Sequence, residues 1–338
     1  LVRGVDPFSI GREFMSPTLM NIALLIVGIA LLTAGGEALI RGSLAAARRL
    51  QVSPLLSGLV IVGFGTSAPE LVVSVDAALN QRPDIAIGNV VGSNIGNVLL
   101  ILGICALITP LSVKPMALRR DAMTVVGASL LFVMLVGGSA LARSDAAILL
   151  AALAAYIAWA YWSERDSVAP VAEVHRAEAD ELQAVPRTGI WITIAVCSGL
   201  ALLIGGSRLL LAGAVGIAEA FGVSEAVIGL TVVAIGTSLP ELSISVIAAL
   251  RRHADVAVGN ILGSNIFNLL GILGVSAMLQ PLPVHERILQ FDQWVMLGTS
   301  ILLLAFLFTA RRLSRLEGAI LFIGYILYAG ISFMYFTG

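Results

Sequence analysis

Apolar residues run along this chain in blocks of about twenty, the length a helix needs to cross the hydrocarbon core of a bilayer. Reading the blocks predicts spans over 18–40, 57–79, 85–108, 121–138 and 145–162, then over 189–213, 227–250, 256–279, 292–310 and 316–336. Between the two groups lies SERDSVAPVAEVHRAEADELQAVPR, acidic, rich in alanine and too polar to span, which reads as a linker. The first sixteen residues are polar, hold no apolar core of signal-peptide type, and read as an extension ahead of the first span. The organisation expected is therefore an extension (1–17), five helices (18–162), a linker (163–188) and five more helices (189–338).

The two groups are related in sequence. At an offset of 171 residues GTSAPEL (65–71) falls on GTSLPEL (236–242), and GNVVGSNIGN (88–97) falls on GNILGSNIFN (259–268). The register also pairs Ser74 with Ser245, Asp84 with Asp255 and Asp121 with Asp292, and a shift to 172 pairs Asp145 with Glu317 and Tyr156 with Tyr328. Five spans per half is an odd number, so the second half enters from the opposite side and the repeat is inverted. The fold class expected is an all-α integral membrane protein of ten transmembrane helices, arranged as two inverted five-helix repeats.

Composition agrees with that class. Of 338 residues 58% are hydrophobic and 12% charged, about half the charge of a soluble domain, and mean hydropathy is +0.99. A net charge of -1 with a lone lysine, Lys114, excludes a phosphate-binding face and with it nucleic acid as a partner. With the linker in the cytoplasm, 14 of the 20 basic residues lie inside, which places both termini outside. Arg208 fits no loop, because it sits within an apolar stretch. Cys105 and Cys197 lie in apolar stretches and read as small buried hydrophobes.

Glu70 and Glu241 each fall thirteen residues into a span counted from Gly58 and Gly229, near mid-membrane. A carboxylate there costs about 2.5–3.5 kcal/mol even on insertion scales and needs a partner. No lysine or arginine sits at matching depth in the neighbouring motifs, so a transported cation is the fitting counter-charge. Pro69 and Pro240 remove an amide donor, and with Gly65 and Gly236 they should interrupt the helix and free main-chain oxygens near Thr66 and Thr237. One TSxPE alone would read as a proline kink with hydroxyls bonded back to the helix. Two copies with two buried glutamates favour a cation site of hard oxygen ligands. In the second motif Ser93 with Asn97, and Ser264 with Asn268, lie four apart on one helix face and can line the same cavity. Asn94 and Asn265 point elsewhere and suit bonding between helices, and the motif glycines suit close packing.

Other charges take duller readings. Asp121 and Asp292 are expected at helix N-termini, Asp84 and Asp255 at membrane edges as caps or cation attractors, and Glu37 with Arg41 as an i, i+4 pair. Asp76 has no acidic mate, since Ile247 occupies its register.

On these motifs the chain resembles the calcium/cation antiporter superfamily, nearest to the prokaryotic sodium/calcium exchangers. The resemblance implies alternating access, with calcium and sodium competing for one site, commonly three sodium ions to one calcium. It carries ion-binding roles to Thr66, Ser67, Glu70, Ser93 and Asn97, to Thr237, Ser238, Glu241, Ser264 and Asn268, and to main-chain oxygens near Gly63 and Ala234. Several relatives, potassium-dependent exchangers among them, have aspartate where Asn268 stands, which weighs against potassium co-transport. The ions expected are Ca2+ and Na+, with no prosthetic group and no obligatory protein partner. The location expected is a prokaryotic cytoplasmic membrane. A proton/calcium exchanger and a potassium-dependent exchanger stand as alternatives. An intramembrane hydrolase using Ser67 or Ser238 lacks a base, because His175, His253 and His285 are all in loops, so no enzyme activity is expected.

Overall fold

The computed structural model describes residues 17–50, 58–112, 115–137, 140–165, 188–221, 238–310 and 312–336. The expected N-terminal extension up to residue 16, most of the linker, and Ala234 and Thr237 lie outside the described residues.

Each apolar block is helical as far as it is described. In order the helices are α1 (Pro17–Leu50), α2 (Leu59–Thr66), α3 (Ala68–Leu79), α4 (Pro83–Ile108), α5 (Pro115–Val136), α6 (Arg143–Arg165), α7 (Gly189–Ala220), α8 (Leu239–Leu250), α9 (Ala254–Leu279), α10 (Ile288–Phe308) and α11 (Arg315–Phe336). Among the described residues seven of these are long and apolar enough to cross a membrane, and α2 with α3 adds one span bent by 47°. α5 carries Arg119, Arg120 and Asp121 in its first two turns, which shortens its apolar run. α8 is the described part of the seventh block. At 34 residues α1 is about 51 Å long, well beyond the roughly 30 Å of hydrocarbon.

α1 and α7 lie against each other along most of their lengths. Gly28, Gly35 and Gly42 repeat every seven residues on α1, and their register mates Gly199, Gly206 and Gly213 do so on α7. A Cβ on Gly35 would stand 2.8 Å from Gly199 O and Leu203 N, and one on Gly206 would stand 2.9 Å from Leu32 N. The two backbones therefore touch directly, which only glycine permits.

The two halves exchange elements. α4 packs on α11 and α9 on α6. Four two-residue strands tie the same partners: β1 (Leu111–Ser112) pairs antiparallel with β4 (Arg312–Leu313), and β2 (Ala140–Leu141) with β3 (Leu282–Pro283). Arg143 Nε donates to Met278 O at the end of α9 (3.2 Å), and its register mate Arg315 donates through Nη2 to Ile108 O at the end of α4 (3.4 Å). Basic side chains at those carbonyls suit the negative ends of both helices.

Asp121 departs from its expected place. α5 begins at Pro115, so Asp121 lies nearly two turns in, fully buried, where it pairs with Arg120 Nε at 2.6 Å and accepts from Tyr156 OH at 2.9 Å. Asp292 likewise sits inside a helix, paired with Arg287 Nε (2.9 Å) and Tyr328 OH (3.0 Å). Buried pairing replaces the exposed N-terminus that sequence position suggested. The expected pair of Glu37 and Arg41 is present at 2.7 Å.

Candidate functional site

The bend between α2 and α3 falls at Ser67, whose φ of −78° and ψ of 8° leave the helical region. Ser238 repeats it with φ −89° and ψ 11° at the start of α8. In both places proline occupies the first turn of the following helix, where a missing amide hydrogen costs nothing. Glu70 and Glu241 stand in those first turns, so each carboxylate lies at the positive end of a helix within the protein. Both are 1% exposed.

The halves complete each other's sites. Ser67 Oγ donates to Glu241 Oε1 at 3.0 Å, and Ser238 Oγ lies 3.2 Å from Glu70 Oε1 and 3.4 Å from Ser93 Oγ. The hydroxyl beside each glutamate thus comes from the opposite repeat. Thr66 Oγ1 reaches Asn260 Oδ1 at 3.1 Å, and Ser264 Oγ donates to Gly63 O at 3.0 Å. Gly63 O also accepts from Ser67 N and Thr66 Oγ1, both at 3.3 Å, so a cation reaching this carbonyl would displace hydroxyl donors.

Asn97 opens a helical stretch with a wider, π-type turn, and Asn268 is the second residue of another, a distortion frequent at functional sites. Asn97 Nδ2 donates to Asn265 Oδ1 (2.9 Å) and Asn268 Nδ2 to Asn94 Oδ1 (3.0 Å). Asn94 and Asn265 in turn donate to each other's main-chain carbonyls, at 3.1 and 3.3 Å. This is the helix-to-helix role expected of them, and it does more: it takes up the amide hydrogens of Asn97 and Asn268 and leaves their carbonyl oxygens unused. Among buried side-chain oxygens without a hydrogen-bond partner are Asn97 Oδ1, Asn268 Oδ1, Glu70 Oε2 and Glu241 Oε2. Four such oxygens, two from each half, are costly unless something electropositive meets them. No ion pair to either glutamate occurs among the described residues, and none holds a cluster of three histidine, cysteine or acidic side chains. The donor set is hard oxygen, suited to Ca2+ and Na+ and poor for soft or imidazole-seeking metals.

Sequence reasoning passed over Asn89 and Asn260, the second letters of the two GNxxGSN motifs. Asn89 Nδ2 holds Glu70 O (3.3 Å) and Ser74 Oγ (3.0 Å), and Asn260 Nδ2 holds Glu241 O (3.2 Å) and Ser245 Oγ (2.7 Å). They pin the backbone of each glutamate. Their exact recurrence in register, with Ser74 and Ser245, was the available signal. Asp76, on the exposed face of α3, bonds to Asn80 and takes no part.

Replacing Asn94 by alanine should leave the Asn268 amide and the Asn265 carbonyl unpartnered, at about 1–3 kcal/mol for each group. Thermal unfolding in detergent should report the loss. Asn80→Ala, whose bonds are exposed, should change little.

Half-helices meeting at buried carboxylates, inside a bundle of helices long and apolar enough to cross a membrane, make a multi-pass membrane transporter for ions. The family profile described as sodium/calcium exchanger protein matches residues 20–162 and again 191–334. The chain belongs to that family, within the calcium/cation antiporter superfamily and on its prokaryotic side. It is 37% identical over 320 residues to the putative antiporter CaxA of Alkalimonas amylolytica, covering 93% of this chain and 99% of that protein. It is 30% identical over 350 residues to the sodium/calcium exchanger MaX1 of Methanosarcina acetivorans, again covering 93% and 99%. The solved structure of the sodium-calcium exchanger NCX_Mj soaked with zero Na+ and Ca2+ superposes with a TM-score of 0.79 at 28% identity, over 93% of this chain and 99% of that one.

Proposed function

We propose that this chain exchanges Ca2+ for Na+ by alternating access at one shared site near the bilayer midplane, in a ten-helix fold of two inverted repeats. The observation that carries the reading is the set of four buried, unpartnered oxygens on Glu70, Glu241, Asn97 and Asn268, contributed equally by the two halves. The serine hydroxyls of Ser67, Ser238, Ser93 and Ser264 and the threonine of Thr66 stand around them as further ligands, with Thr237 and the carbonyls of Gly63 and Ala234 completing the set by register. Both termini lie outside and the linker in the cytoplasm of a prokaryotic inner membrane, on the bias of basic residues. The chain catalyses no covalent chemistry.

Charge balance supports one site for both loads. Two ionised glutamates and two neutral asparagines give −2, which one calcium ion neutralises and three sodium ions bring to +1. An empty dianion is unfavourable in a low-dielectric interior and resists the conformational crossing, so transport is exchange and not uniport.

The test is labelled calcium uptake into proteoliposomes under separate sodium, proton and potassium gradients. The expected result is uptake driven by outward sodium, with no potassium requirement. Uptake driven by a pH gradient alone would replace sodium with protons as the coupling ion. Calcium efflux at an unchanged rate with neither sodium nor calcium outside would overturn obligatory exchange.

A further inference from the structure

Asp76 on α3 and Arg208 on α7 are charged residues that take no part in the site. Both are exposed, and Arg208 stands in the middle of an apolar helix, where a charge is expensive to keep. Among the described residues neither takes part in an ion pair.

The inverted register shows what they face. At the α8 end, α1 packs along α8: Gly36 abuts Ile247, with a Cβ there only 2.5 Å from Ile247 Cδ1. One residue on, Glu37 pairs with Arg41 and also with Arg251 Nη2 at 3.2 Å, just past the end of α8. Subtracting or adding 171 converts this contact into its counterpart at the opposite end of the molecule. Gly36 becomes Ser207, Ile247 becomes Asp76, Glu37 becomes Arg208 and Arg251 becomes Asn80. The counterpart contact therefore brings Asp76 against Ser207, one residue from Arg208, with the signs of charge reversed between the helices. In this structure the counterpart is not made, since α7 has no packing along α3 comparable to that of α1 along α8. Of two symmetry-related closures, one is present.

We propose that Asp76 and Arg208 form an ion pair when α7 closes against α3, so that each closed end of the transporter has its own latch, Glu37–Arg251 at one and Asp76–Arg208 at the other. This rests on the alternating-access reading. The opposed halves exchange packing as the site changes sides, and the pair at the closing end replaces the pair at the opening end. An exposed arginine on a long stem can snorkel to water while open and reach back to Asp76 when closed. Asn80, which donates to Asp76 Oδ1 at 3.1 Å, holds the carboxylate until then.

The test uses the full chain with Cys105→Ala and Cys197→Ala, reconstituted in vesicles. Asp76→Cys with Arg208→Cys should be joined by a short, cleavable bifunctional thiol reagent to a degree that changes with sodium and calcium. Glu37→Cys with Arg251→Cys should respond in the opposite sense. Joining Asp76→Cys to Arg208→Cys should stop exchange, and cleaving the reagent should restore it. Asp76→Asn and Arg208→Gln should each slow exchange about two- to five-fold, as loss of an exposed ion pair allows. The swapped double variant Asp76→Arg with Arg208→Asp should recover most of the rate. No cross-link in any ionic condition, or a swapped variant as slow as the product of the singles, overturns the latch. Cross-linking is read without transport, so absence of exchange by the wild-type chain would instead count against the antiport reading.

Discussion

Glu70→Gln and Glu241→Gln should each lower sodium-driven calcium exchange by about 10²- to 10³-fold, the scale set by removing one partner of a buried charge interaction. Glutamine keeps the shape and one oxygen for the neighbouring serine. It also places an amide donor on one of the two positions held by carboxylate oxygens, and it lowers the site charge from −2 to −1. Calcium would then lose one of its two full counter-charges, a loss that low-dielectric surroundings make costly. The two variants should behave alike, because each carboxylate has the same burial, the same helix start and a serine from the opposite half. Labelled calcium uptake into vesicles measures both. Full exchange by either variant would sink the shared site.

The second large effect lies away from the ions. Gly206→Val should destabilise the protein by about 1–3 kcal/mol or more, because its Cβ would meet Leu32 N at 2.9 Å and Gly28 O at 3.0 Å. Those are backbone atoms, so no side chain can turn aside and the helices must part. The neighbouring Gly205→Ala meets nothing within 4 Å and should be neutral or stabilising by about 0.5–1 kcal/mol, since alanine is the better helix former. Unfolding temperatures in detergent should move in opposite directions for these adjacent substitutions. Equal shifts would show that the α1–α7 contact is looser than described.

Much of this was legible in the chain. Spans are read from apolar runs because lipid demands them, and the described helices fall within a few residues of most predicted ends. α1 runs ten residues past its predicted end, since Arg41, Arg48 and Arg49 look like a loop in sequence and are helical in fact. The glutamates stand out because burying a charge is costly enough to mark them, whereas Ser67 and Ser238 come from the repeated motif and the family resemblance. The packing partners were not legible. Nothing in a linear reading says that Gly28 meets Gly206, since both are two among 34 glycines until the helices are placed side by side. Asp121 was read as a helix-start residue because its mate Tyr156 lies 35 positions away and contributes no local signal. Asn89 and Asn260 were visible as repeated letters, but their role depends on reaching across to a neighbouring helix.

Ser129 Oγ lies 3.2 Å from Ser300 Oγ, and Asn94 and Asn265 bond to each other, so in both places a residue touches its own register mate. Self-contacts of this kind characterise isologous interfaces, in which one surface is complementary to itself. Two separate, identical half-length subunits would be compelled to place the same side chain at both ends of such an assembly. Joining the halves in one polypeptide lifts that constraint. Glu37 and Arg208, and likewise Ile247 and Asp76, show the freedom in use: equivalent positions hold unlike groups, and the two halves can be given different chemistry within one architecture.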